Sequence, residues 1–190
     1  MDALTGILAA FGLSGSAGLN AYLPLLVVAL AARYTSLIEL KSPWDTLENP
    51  WVIGVLVVLL LVEFFADKIP AVNHFNDAVQ TFVRPTAGAI LFAASARVIS
   101  DIHPAVALVL GLFAAGTVHA AKSVLLRPAV TATTGGAANP FVSLAEDVIA
   151  AVISILAIVV PVLLTGAVIV ITAFIVWLLW QSRRRPAPAR

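Results

Sequence analysis

The last apolar run of this 190-residue chain closes with WLLWQSRRR at positions 177–185. Trp177 and Trp180 are placed as interfacial anchors, and Arg183, Arg184 and Arg185 as a cytoplasmic stop. A chain that ends an apolar run in this way is built for a bilayer. Composition agrees: 61% of residues are hydrophobic and 11% charged, against roughly 25% charged in an ordinary soluble domain. No room is left for a sizeable soluble domain. With about 20 residues per crossing, six helices fit at most.

The net charge of +1 excludes a strong nucleic-acid field. The absence of cysteine excludes disulfides, thiol catalysis and thiolate metal sites. Asp2 is the only early charge, so the first segment lacks the basic start of a cleaved signal peptide.

Hydropathy predicts an all-α polytopic protein with six spans. Span one covers 4–32 and is interrupted by SGSAGLN at 14–20 and by Pro24. Span two runs from Asn49-Pro50 to Ala66, with Glu63 near its end. An amphipathic helix follows at 71–83. Val72, Phe75, Val79 and Phe82 share one face there, and polar residues take the other. It is expected to lie in the interface plane or to line a wet cavity. Span three follows Arg84-Pro85 and ends near Ser100. Its Ala, Gly and Ser allow close helix approach. Spans four, five and six cover 104–126, 141–161 and 163–180, and PAVTATTGGAANP at 128–140 reads as a flexible or a re-entrant loop. The whole forms one transmembrane domain over 1–182, with a basic cytoplasmic tail at 183–190. Alternating loops put eight Lys and Arg on one side and three on the other, so both termini are expected in the cytoplasm.

GLSGSAGLNA at 12–21 can be laid on GLFAAGTVHA at 111–120, and NPWV at 49–52 on NPFV at 139–142. The matches suggest halves of about 1–100 and 101–182 in a 3+3 inverted repeat, a plan that places a substrate site where the halves meet. Asn-Pro is equally a plain helix start.

Charges inside a bilayer cost about 2.5–3.5 kcal/mol each, so they mark a cavity or a partner. The candidates for binding a substrate or ion are Asn20, Asp67, Asp77, Arg84, His119, Lys122, Arg127 and Asp147. Six of them (Asp67, Asp77, Arg84, Lys122, Arg127 and Asp147) are expected to form one network. His119 and Lys122 are three apart and share a helix face. Ser143 and Glu146 have the spacing of a capping box, which leaves Asp147 to face Lys122 or Arg127. No HExxH-type spacing and no nucleophile elbow occurs, so no enzyme, catalytic residue, metal or cofactor is expected.

GLNAYLPLL (18–26), ADKIP (66–70), QTFVRPTAGA (80–89) after Asp77, VHAAK (118–122) and SLAED (143–147) together resemble a bacterial membrane family, domain of unknown function 4126. The resemblance covers nearly the whole chain in the same order. It implies the polytopic architecture and picks out the same polar residues, and it brings no activity. Two functions remain open. One is a small inner-membrane transporter or channel for an anionic or lipid-like solute, with the bilayer as partner and a second copy of the chain as a candidate one. The other is a scaffold or accessory subunit that transports nothing.

Overall fold

The computed structural model describes residues 3–66, 70–99 and 102–183, and every regular element among them is helical. The helices are α1 (Ala3–Leu19), α2 (Tyr22–Tyr34), α3 (Pro50–Ala66), α4 (Pro70–Ile99), α5 (Pro104–Ala121), α6 (Arg127–Thr134) and α7 (Asn139–Arg183). A 3-10 turn, Trp44–Glu48, precedes α3, and a π-helical stretch, Lys122–Leu126, joins α5 to α6.

The first apolar stretch is not one crossing. Had α1 continued, the ring of Pro24 would meet the carbonyl of Asn20, and the N–H that should bond to it would be missing. The helix therefore stops at Leu19. Asn20 then caps the next helix, its Oδ1 accepting from the N–H groups of Tyr22 (3.1 Å) and Leu23 (2.9 Å). The chain reverses at this turn: Leu37, Ile38 and Glu39, beyond the end of α2, line the same cavity as Gly6 and Ala9 near the start of α1. The expected break at 14–20 is thus narrower than the small residues suggested. Ser14–Leu19 stay helical, and the turn falls at Asn20-Ala21.

Helix α1 is the centre of the bundle. Ala10, Leu13, Ser14, Ser16, Ala17 and Asn20 are all buried. Helix α4 runs antiparallel to it, since Ser14 Oγ donates to Gly88 O at 2.8 Å while Phe11 meets the Phe92 ring edge-on at 4.9 Å. Helix α7 is also antiparallel: Asn20 meets Asp147, Ser16 bonds Ser154 at 2.9 Å, and Gly12 approaches Ala157. Helix α5 is parallel to α1, because Ala10 clusters with Ala107 and Gly18 abuts Ala115 and Val118.

These directions are not those of an inverted repeat. Of the two matched pairs, α1 and α5 run the same way. Helices α3 and α7 run oppositely, because Glu63 near the end of α3 and Asp147 near the start of α7 sit at the same end of the bundle. No single rotation relates both pairs. The hairpin α1–α2 adds the extra reversal that the six-span reading lacks.

Three further expectations change. The helix 71–83 and span three are one element, α4, with Pro85 inside it. Helices embedded among others tolerate such a proline, and the next residue, Thr86, donates from Oγ1 to Phe82 O at 2.7 Å. The segment 128–140 is no long loop. It is helical to Thr134 and turns through Gly135 and Gly136, at φ 62° and 87°, where glycine relieves the left-handed strain. Spans five and six belong to one helix, α7, which passes through Pro161.

Two stretches, 104–134 and 139–161, are long and apolar enough to cross a membrane. The outward faces are apolar: Trp51 is 85% exposed, Phe82 78% and Phe141 74%.

Candidate functional site

The end of the bundle that holds the α1–α2 turn gathers ionisable groups from the other elements. Glu63 lies in the last turn of α3, Arg84 in α4, His119 in α5 and Glu146 in α7. Lys122 opens the π-helical stretch, where the N–H of Arg127 bonds to Lys122 O. Pro128 has no N–H to offer the carbonyl of Val124, and the wider π turn absorbs that loss.

Arg84 is completely buried. Its Nη2 donates to Glu63 Oε1 at 2.9 Å and its Nη1 lies 3.2 Å from His119 Nδ1. Arginine can only donate, so His119 Nδ1 must accept. The ring proton then sits on Nε2, which is 3.2 Å from Thr81 Oγ1. The order Glu63–Arg84–His119–Thr81 therefore holds with a neutral imidazole, and protonating that ring would turn the Arg84 contact into two opposed donors.

Lys122 and Glu146 are each 4% exposed, and their charged atoms are 2.6 Å apart. Arg127 approaches the same carboxylate at 3.8 Å. Lys122 Nζ also donates to Leu19 O at 3.1 Å. That carbonyl belongs to the last turn of α1, where helical partners run out and the dipole favours a cation. Asn20, one residue on, donates from Nδ2 to Asp147 Oδ1 at 2.9 Å. Arg84 thus pairs with Glu63, Lys122 and Arg127 share Glu146, and Asp147, expected to face Lys122 or Arg127, receives the Asn20 amide. Within the cluster Gln80 Oε1, Arg84 Nε and Glu146 Oε1 are buried with no hydrogen-bond partner among the described residues.

The structure brings together Asn20, Arg84, His119, Lys122, Arg127 and Asp147, six of the eight predicted residues. Asp67 lies outside the described residues, and the side chain of Asp77 is likewise outside them. The carboxylates that carry the pairing to Arg84 and Lys122 are Glu63 and Glu146, which spacing had not selected. Ser143 and Glu146 form no capping box, because Asn139-Pro140 already starts α7 a turn earlier. The signal for Glu146 was nevertheless present: inside a helix it shares an end with Lys122 across the Gly-Gly turn.

The family model for a domain of unknown function, DUF4126, matches residues 7–181. The chain belongs to this family. The match spans every element of the cluster, from the α1–α2 turn to the carboxylates of α7. No curated protein and no solved structure matches the chain. The function of this family is unknown.

Asn20 offers a direct measurement. Asn20→Ala removes a cap worth about 1 kcal/mol and an interhelical bond worth about 0.6 kcal/mol. The expected loss is about 1–2 kcal/mol in reversible unfolding in detergent micelles. Asn20→Asp keeps the cap but faces Asp147 with a second carboxylate, and should cost more than alanine. The reverse order would mean that the Asp147 contact is absent in solution.

Proposed function

We propose that the chain is an integral protein of the bacterial inner membrane that transports or conducts an anionic or lipid-like solute. The supporting observation is its inside-out polarity at one site. Arg84, Glu63, Lys122 and Glu146 are buried while Phe82 and Trp51 face outward. Water would favour the reverse; lipid favours this. A bundle needing only stability has little use for such pairs, since apolar replacements of buried ion pairs are often neutral or stabilising. Charges retained at the turn of a helical hairpin suit a site that must exchange partners. The solute's anionic group would compete with Glu63 or Glu146 for Arg84 and Lys122.

The dimensions fit this reading. From Pro104 to Lys122 the bundle is about 27 Å long at 1.5 Å per residue, close to the ~30 Å hydrocarbon core. The cluster then lies at one boundary. Helix α7, with 45 residues, is about 68 Å long at that rise, so a bilayer accommodates it by a bend at Pro161. The hairpin α1–α2 moves the N-terminus to the side of Arg33, Lys41 and Arg97. If α7 turns back at Pro161, that side stays poor in Lys and Arg and the eight-to-three bias puts the cluster and the C-terminus in the cytoplasm; a continuous α7 would carry Arg183 to the far side. Cysteines at Asp2 and Ser42 should therefore label together from outside, and one at Ser182 from inside. Labelling of positions 2 and 42 from opposite sides would restore a single first crossing.

One observation favours the scaffold instead: Asn20 and His119 are sealed from solvent. The test separates the two. In proteoliposomes, flux of a panel of inorganic and organic anions should exceed that of empty vesicles and fall at least about tenfold in Arg84→Gln, by analogy with loss of one charged hydrogen bond. A cysteine at 119 should react with a small aqueous thiol reagent during flux. No flux together with an inert position 119 under every condition would favour the scaffold.

A further inference from the structure

At the end of the bundle opposite the charge cluster lies a cavity of about 310 Å³. Gly6, Ala9 and Leu13 of α1 form one wall, Ala157 of α7 another, and the segment after α2 lies across the mouth with Glu39 and Lys41. The volume is that of a small ligand site. The walls are mostly apolar, with Ser36 and Ser95 among them, and are made partly of glycine and alanine, which leave a slot where larger side chains would close it. A polar solute would lose most of its hydration in that slot, with only Ser36 and Ser95 to replace it. Left empty, the slot would forfeit dispersion contacts along every wall. A hydrocarbon chain meets both conditions.

The mouth chooses the head group. Glu39 and Lys41 are exposed and lie two residues apart. Both line the same opening, and among the described residues no ion pair joins them. Opposite charges held apart at the entrance to an apolar slot match a molecule that carries both signs on one head. We propose that this cavity holds one acyl chain of a zwitterionic phospholipid. Glu39 receives the ammonium group and Lys41 the phosphate. The proposal rests on the membrane reading above, and it places the lipid at the outer boundary, away from the cluster. A lipid there would wedge between α1 and α7 at the height of Pro161, where α7 must bend to stay in the bilayer.

The test uses the full chain, purified in mild detergent with equimolar phosphatidylethanolamine and phosphatidylglycerol, and native mass spectrometry of what stays bound. The wild type should retain one phosphatidylethanolamine in preference to phosphatidylglycerol. Glu39→Lys makes the mouth wholly cationic. It should reverse the preference, with a change of about fivefold for one surface charge. Lys41→Glu should weaken retention of both lipids, and Ala9→Phe should abolish it by filling the slot. Glu39→Lys alters an exposed side chain and should not disturb folding, so the selectivity readout survives if Ala9→Phe fails to fold. Unchanged selectivity in Glu39→Lys, or a wild type that retains neither lipid, overturns the proposal. Release of the chain from membranes by alkaline carbonate would overturn the membrane reading itself, a separate result.

Discussion

Gly111→Val should abolish accumulation of the folded chain. A Cβ at position 111 would sit 2.3 Å from the carbonyl oxygen of Gly88, 2.6 Å from Phe92 Cβ and 2.8 Å from Ala89 Cα. Two of those three atoms are backbone, and none is the end of a flexible side chain. Relief requires moving α4 off α5. Gly88 presents the reciprocal problem, its Cβ falling 2.3 Å from Ala115 Cβ and 2.8 Å from Gly111 O. Separating the helices would also draw Arg84 away from His119 and Gly88 O away from Ser14. The expected cost exceeds about 4 kcal/mol, the range reserved for severe core disruption. Gly54 and Gly15 provide the control, since a Cβ on either meets nothing within 4 Å. Gly54→Ala should fold as well as the wild type or slightly better, because glycine inside a helix costs up to about 1 kcal/mol. Detergent-extracted yield and the size-exclusion profile distinguish the cases. A monodisperse Gly111→Val protein at wild-type yield would mean that α4 and α5 do not touch at this seam.

Arg84→Glu is the second large effect. Removing one partner of a buried ion pair typically costs 3–5 kcal/mol. Reversal adds a new carboxylate beside Glu63 Oε1, which now lies 2.9 Å from Arg84 Nη2, and takes the donor from His119 Nδ1. Both glutamates cannot stay ionised in that place, so protein should be recovered poorly at neutral pH. The pair Glu63→Met with Arg84→Met removes both charges together and should recover most of the yield, because a matched apolar pair desolvates cheaply. If Arg84→Glu accumulates like the wild type, Arg84 is solvated and the cluster is not closed. If the double methionine variant folds but loses flux, the charges serve transport and not packing.

The helices and the polar positions were readable in the chain because both follow from local pattern. Asn49-Pro50 starts α3 as expected, with Asn49 Oδ1 accepting from the N–H of Trp51 at 2.9 Å. Asn20, Arg84, His119 and Lys122 stood out as polar groups in apolar surroundings, and burial unites them. Direction was not readable. Hydropathy sums over 4–32 as one apolar run, and Pro24 looks the same whether it kinks a helix or reverses it. Pro85 and Pro161, which local rules treat as helix ends, lie inside α4 and α7. Pairing was no more accessible: Glu63 and Arg84 are 21 residues apart in sequence, and only the docking of α3 on α4 brings them together. The amphipathic face at 71–83 was legible as a pattern but ambiguous in sense, since Gln80 and Arg84 turn inward and Phe82 outward.

The partners of the α1–α2 turn also impose an order on biosynthesis. Ribosomes release the N-terminal helices first, so Asn20 and Lys122 emerge before their partners Asp147 and Glu146 exist. Lys122 can reach Leu19 O as soon as α5 has emerged. Its carboxylate and the acceptor for Asn20 come from α7, which is synthesised last. Until then the nascent bundle carries a cation in a place that excludes water. Glu146 and Asp147 are adjacent in sequence, so one docking event of α7 supplies both partners at once.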